Sequence, residues 1–175
     1  MKKLKNKDLQ RITLEEFKIA KKTSITIVLD NVRSALNVGS VFRTADAFLI
    51  ENIILCGITT TPPSKEIRKS ALGASDSVNW EFNESTLDAV LKLKKDGYYI
   101  MGLEQAEKSS KLNNLTLSKK SIAIIMGNEI NGVSQDVINV CDEVIEIPQF
   151  GTKHSLNISV SAGIVLWELW KKLNA

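Results

Sequence analysis

The segment Ser121–Gly127, SIAIIMG, is apolar at every interior position. A strand with one wet face alternates, so an unbroken apolar run implies burial on both faces and a central place in a parallel sheet. Parallel neighbours must be joined by crossovers, usually helices. The rest of the chain supplies them. SITIVLD (24–30), ENIILCG (51–57), YYIMGL (98–103) and EVIEIP (143–148) are β-branched or apolar runs that predict strands, and SVNWEF (77–82) alternates weakly. Between them, TLEEFKIAKK predicts a helix over 13–22, with Thr13 and Glu16 at capping-box spacing. NVGSVFRTADAFL predicts a helix over 37–49 that starts at or just after Asn37. Helices are also expected at 85–97, stopped by Gly97, at 134–141, capped by Ser134, and at 157–173. Residues 58–75 read as a polar loop around Pro62–Pro63 with room for a short helix. No repeat or low-complexity tract interrupts the alternation. The expected fold is α/β: a mainly parallel sheet with helices on both faces.

Charge divides the chain. Residues 1–24 carry eight Lys/Arg against three Asp/Glu, and the remainder carries fifteen against seventeen. The expected organisation is therefore a basic N-terminal arm with a short helix over 1–24 and one domain over 25–175. A basic arm suits a polyanionic partner, and equally describes a solvated lysine-rich helix end. With 43% hydrophobic and 25% charged residues, the composition is that of a soluble globular protein. No apolar run is long enough to span a bilayer and no apolar segment follows MKKLKNKDLQR, so neither membrane nor secretion is expected and the location is cytoplasmic by default. Cys56 and Cys141 sit beside apolar residues and read as reduced core residues; with one histidine and no CxxC, no metal site is expected.

Ligands of open parallel sheets collect beyond the carboxyl ends of the strands. Three polar clusters fall there. The first follows 24–30 and holds Asn37, Gly39 and Arg43; if Asn37 caps its helix, both polar side chains can face the turn. The second, MGNEINGVS, frames Asn128, Glu129 and Asn131 between Gly127 and Gly132. The third, IPQFGTKHSLN, holds Gln149, Gly151, Lys153, His154, Ser155 and Asn157, the last two at or near a helix start. Singly, each reads as a cap or turn; together they would converge on one crevice. The chain has no Walker A loop, no GxGxxG after the first strand and no GxSxG elbow. His154 and Ser155 are adjacent, which rarely sets a base on a nucleophile.

In order and spacing, NVGSVFRTA (37–45), IMGNEINGVS (125–134) and IPQFGTKHSLNISVSA (147–162) resemble the three motifs of the SpoU (TrmH-like) family, RNA ribose 2′-O-methyltransferases of the SPOUT class that use S-adenosylmethionine. KSALGASDSVNW and GYYIMGLEQA also resemble segments of such proteins. The resemblance implies a C-terminal trefoil knot beginning near Ile145 and a homodimer whose site is completed across the interface. It implies a cofactor seat formed by Leu103, Glu104, Gln105, Met126, Gly127, Ile147, Gln149, Gly151 and Leu156, with Ile147 and Leu156 flanking the adenine. Gln149 departs from the methionine carried by many relatives. Arg43 matches the essential motif arginine. Asn37, Glu129, Ser155 and Asn157 would orient it, the substrate phosphate and the ribose, while His154 falls at a variable position, as a bystander or an RNA contact. The implied partner is RNA, either tRNA or rRNA, with tRNA slightly favoured by the short basic N-terminus. Lys65, Arg68 and Lys69 are candidate phosphate contacts. The competing reading is an RNA- or cofactor-binding α/β module without catalysis, and beyond it a dehydrogenase-like enzyme.

Overall fold

The computed structural model describes residues 1–5, 8–117 and 121–174, so Lys7 of the basic arm lies outside the described residues. Seven strands form one sheet in the order β3-β2-β1-β6-β4-β7-β5. They are β1 (Thr23–Asp30), β2 (Ile50–Cys56), β3 (Trp80–Asn83), β4 (Tyr99–Leu103), β5 (Ser110–Lys111), β6 (Ile122–Met126) and β7 (Glu143–Glu146). Every pairing is parallel. The SIAIIMG run is β6, held between β1 and β4, with Ile25 to Leu29 in register with Ile122 to Met126. All five of its residues are buried.

Alternation along β1 divides the core in two. Ile25, Ile27 and Leu29 face a cluster shared with α1 (Leu14–Ile19), α2 (Ala35–Ala47), α3 (Lys65–Ala71), α4 (Ala74–Ser77) and α7 (Ile158–Leu173). Val28 faces the opposite cluster, closed by α5 (Thr86–Lys95) and α6 (Gln135–Val140). Each fully buried Ile or Leu here contributes about 1.5–3 kcal/mol of transfer free energy. Helix α2 shows the pattern best. Val38, Val41, Phe42 and Ala45 are buried at helical spacing. Gly39 of the first motif also has a packing role. A Cβ there would lie 2.1 Å from Ser70 Oγ and 2.5 Å from the Ile67 carbonyl, so its hydrogen lets α3 close on α2.

Several expected boundaries move. Ser34, not Asn37, caps α2, accepting from the Asn37 N–H at 3.3 Å, and the helix begins at Ala35. Ser134 holds the N-cap position of α6 but makes no capping bond, because its side chain turns to Asp30. β3 starts only at Trp80, since α4 occupies the chain to Ser77. β7 stops at Glu146, and α7 starts at Ile158, which leaves Ser155 in a loop. The polar segment 58–75 holds α3 and the start of α4. The Thr13–Glu16 capping box and the Gly97 stop (φ +89°) are present as expected. The arm is not wholly solvated: Phe17 is buried in the main core and Lys22 Nζ sits 4.3 Å over its ring.

The most informative feature is the place of β7. It pairs with β4 on one side and β5 on the other, although both precede it in the chain. The carboxyl ends of β1, β6, β4 and β7 therefore share one edge of the sheet.

Candidate active site

Asp30 closes β1 at that edge and is buried. Its Oδ1 accepts from Thr86 Oγ1 at 2.6 Å and from Asn31 Nδ2 at 2.8 Å. Its Oδ2 accepts from Ser134 Oγ at 2.6 Å and Ser134 N–H at 2.9 Å. One carboxylate thus joins β1, the start of α5 and the turn after β6. The neighbouring Asn31, at φ +55°, lends its carbonyl to Asn128 Nδ2 at 2.7 Å. These contacts fix the turn that follows β6. Asn128 bridges to Gly132, and its Oδ1 accepts from the N–H groups of Ile130 and Asn131.

That turn is tight because Gly127 lacks a side chain. A Cβ at Gly127 would lie 2.1 Å from both Gly132 C and Val133 N, backbone atoms that cannot step aside. Gly132 has φ +68°, and a Cβ there would lie 2.0 Å from Glu104 Oε2, which accepts from the Val133 N–H at 3.0 Å. Glu104 therefore ties the end of β4 to the turn after β6. Gly127→Ala should lower the melting temperature by about 4–10 °C, from about 2 kcal/mol or more of overpacking. A scanning calorimetry trace at the wild-type temperature would contradict this geometry.

The turn presents Glu129 to the start of α2. Its carboxylate accepts from the Arg33 N–H at 2.9 Å, the Ser34 N–H at 3.0 Å and Asn37 Nδ2 at 3.1 Å. Desolvation pushes this carboxyl up, but the backbone N–H groups of Arg33, Ser34 and Glu129 itself, with the Asn37 amide, outweigh it and hold the group below its ordinary value. Asn37 Oδ1 in turn accepts from Asn157 Nδ2 at 3.2 Å. Asn157 caps α7 through the Ser159 N–H at 2.9 Å. Glu129, Asn37 and Asn157, one from each polar cluster, form one continuous hydrogen-bonded chain. The third cluster is also tied to β4, since Gln105 Nε2 donates to the His154 carbonyl at 2.6 Å.

Other expected site residues stand apart from this chain. Arg43 is exposed and bonds to no described residue. Six residues along a helix is about 9 Å of rise and about 240° of rotation, so Arg43 faces away from Asn37 rather than into the same turn. Ser155 and the side chains of His154 and Gln149 are exposed and make no hydrogen bond to a described residue. Lys65, Arg68 and Lys69 lie exposed on α3.

The residues expected to seat a cofactor differ in exposure. Leu103 and Ile147 are half-buried against the main core, Leu156 is 39% exposed, and a Cβ on Gly151 would meet nothing within 4 Å. Met126 is buried in the core, which leaves its backbone for any ligand. Apolar side chains flanking accessible backbone fit a flat, partly apolar ligand such as an adenosyl group. The cysteines take no part: burial pushes the Cys56 thiol up to about 12 and that of Cys141 up to about 11, so neither is a thiolate nucleophile. Among the described residues no group of His, Cys, Asp and Glu has metal-binding geometry, and no helix is long and apolar enough to cross a membrane.

Asp30, Asn31, Ser34 and Ser134 shape this edge through their hydrogen bonds, a role the sequence analysis did not give them. A charged residue that closes an otherwise apolar strand was the available signal for Asp30.

A parallel sheet with polar turns gathered at its carboxyl edge, and a late strand inserted among earlier ones, defines the class as an open α/β fold of the kind that binds ligands at that edge. The chain belongs to the SpoU rRNA Methylase family, whose model matches residues 24–167. An uncharacterized tRNA/rRNA methyltransferase of Borreliella burgdorferi is 31% identical over 172 residues, 98% of this chain and 74% of that one. A Staphylococcus aureus protein provisionally named TrmH family tRNA/rRNA methyltransferase is 31% identical over 149 residues, and the match spans only 59% of its length. Among solved structures, the A. aeolicus TrmH/SpoU tRNA modifying enzyme superposes with a TM-score of 0.81 at 25% identity, covering 92% of this chain and 81% of that one. The AdoMet-bound rRNA methyltransferase from Sinorhizobium meliloti also gives 0.81, at 28% identity, covering 87% and 58%. The SPOUT-type α/β fold expected from the sequence is thereby established.

Proposed function

We propose that this protein transfers a methyl group from S-adenosylmethionine to a ribose 2′-hydroxyl of RNA. The observation that carries the reading is the Glu129–Asn37–Asn157 chain, which unites three separated motifs of an RNA methylase family at one edge of the sheet. The apolar seat of Leu103, Ile147 and Leu156, with the backbone of Met126, Gly127 and Gly151, is where the cofactor would be held; its bound presence in the Sinorhizobium meliloti relative supports this assignment. Bound there, the cofactor supplies an electrophilic methyl group. The chain supplies position and charge.

The Arg43 guanidinium offers donors and positive charge to the 2′-oxygen as negative charge grows on it, and so acts by stabilising that charge. Glu129, Asn37 and Asn157 form a fixed polar wall against which the ribose and its phosphate are oriented, with Ser155 on the facing loop. Lys65, Arg68 and Lys69 hold neighbouring phosphates. The mutual coverage with the A. aeolicus tRNA-modifying enzyme supports tRNA as the substrate class.

A homodimer completes the site in this reading. Two features support it. Arg43 stands away from the polar chain of its own subunit, and α7 carries an uncovered apolar stripe at helical spacing, Val160 (51% exposed), Ile164 (38%) and Trp167 (50%). Trp167→Glu should convert the wild-type dimer to monomer in sedimentation velocity and remove transfer with it. A wild-type protein that sediments as an active monomer would refute the shared site. The insertion of β7 between β4 and β5 likewise supports the knotted chain path of the family.

Calorimetry and a labelling assay test the function. S-adenosylmethionine should bind and NAD should not, and labelled methyl should pass to unmodified total RNA. Cofactor binding with no transfer to RNA would favour the non-catalytic binding module.

A further inference from the structure

Beside the active-site edge, a groove of about 540 Å³ opens between the β2–α3 loop and the outermost strand, β3. Thr59, Thr60, Thr61 and Ser64 line one side, and Trp80 and Phe82 the other. Trp80 and Phe82 are two apart on the strand, so both project to one face, while Glu81 between them projects to the other and accepts from Asn52 at 3.4 Å. Trp80 is half-buried against the core; Phe82 is 48% exposed. The volume lies within the range of about 300–1,000 Å³ typical of small-ligand sites.

The groove is fastened to the site already described. Thr59 Oγ1 accepts from the Val32 N–H at 2.9 Å and donates to the Leu29 carbonyl at 3.1 Å. Asn31 Oδ1 accepts from the Ile58 N–H at 3.1 Å. The groove floor is thus bound to the end of β1, directly before Arg33 and Ser34, the backbone partners of Glu129.

Its rim is basic. Helix α3, capped by Ser64, displays Lys65, Arg68 and Lys69, none of which forms an ion pair among the described residues. The acidic residue of that helix, Glu66, is turned back to the cap, accepting from Ser64 Oγ at 3.1 Å. The hydroxyls of Thr59 and Ser64 are committed to the fold, which leaves those of Thr60 and Thr61 to reach a base edge; with the aromatic faces and the uncommitted cations they supply the three elements of single-stranded RNA recognition.

We propose that this groove is a nucleobase-binding subsite. An unpaired base of the RNA substrate, next to the methylated nucleotide, stacks on Phe82 and Trp80 while α3 holds its phosphates. The inference rests on the RNA reading above and adds to it the position where the substrate is gripped.

The test uses the full chain and two labelled probes, decaadenylate RNA and an abasic ribose-phosphate decamer, in fluorescence anisotropy at fixed salt. The wild type should prefer decaadenylate on the order of tenfold, the size of one stacked base. Phe82→Ala should erase that preference and leave the abasic affinity unchanged, while Phe82→Trp retains it. Calorimetric affinity for S-adenosylmethionine should be the same in both variants, which shows an intact fold. Replacing Lys65, Arg68 and Lys69 with Gln should weaken both probes and flatten the salt dependence. A preference that survives Phe82→Ala, or a wild type that binds the two probes equally, overturns the groove; methyl transfer to RNA by that same wild type would leave the broader reading standing. A wild type that binds neither probe and transfers nothing to RNA sinks both.

Discussion

Arg43→Ala should abolish methyl transfer, with a loss in rate of at least about a thousandfold, the scale reached when a preorganised charge at the reacting oxygen is removed. The variant should bind S-adenosylmethionine as the wild type does, because the proposed seat of Leu103, Ile147, Gly151 and Leu156 does not include Arg43. It should also fold normally. Arg43 is exposed and anchors nothing among the described residues, so its removal breaks no contact that supports α2. An exposed arginine with no structural partner is a weak candidate for stability, so a loss of transfer in this variant would not come from misfolding. Arg43→Lys keeps the charge but loses the planar fork, and should recover only a small part of the rate. Single-turnover kinetics with saturating cofactor separate the outcomes. Transfer by Arg43→Ala at the wild-type rate would remove Arg43 from the mechanism.

The second large effect is on stability. Asp30→Ala should cost about 3 kcal/mol and lower the melting temperature by about 6–12 °C. The buried carboxylate accepts from Thr86, Asn31 and twice from Ser134, so truncation strands donors from three elements at once. Asp30→Asn keeps the volume but offers a single acceptor oxygen, and should fall between alanine and wild type. Both variants should also weaken cofactor binding, since Ser134 anchors the turn that carries Gly127 and Glu129. A melting temperature within about a degree of wild type would mean that water replaces the network without loss.

Much of this was legible in the chain. The unbroken SIAIIMG run placed β6 at the centre of a parallel sheet because only burial on both faces permits such a run. Asn37, Glu129 and Asn157 were recognisable because polar residues at successive strand ends must share one edge. What escaped is equally physical. Ser34 and Asn37 are both good caps, and nothing in Ala35–Leu36 decides between them, so the helix expected over 37–49 starts two residues late and misses the phase of Arg43. β5 is two residues long and carries no period to detect. Helix α3 buries only Ile67 and Ala71, an apolar stripe too narrow to stand out from a polar segment. Asp30 resembled an ordinary strand-ending charge because its partners, Thr86 and Ser134, lie 56 and 104 residues away.

In the proposed function the joined turns position a ribose, not a base, for methylation. Alkaline hydrolysis tests it, because a methylated 2′-oxygen cannot attack the adjacent phosphate. After incubation with methyl-labelled S-adenosylmethionine and unmodified tRNA, the label should appear in alkali-resistant dinucleotides. Label recovered in mononucleotides, on the base, would contradict the account.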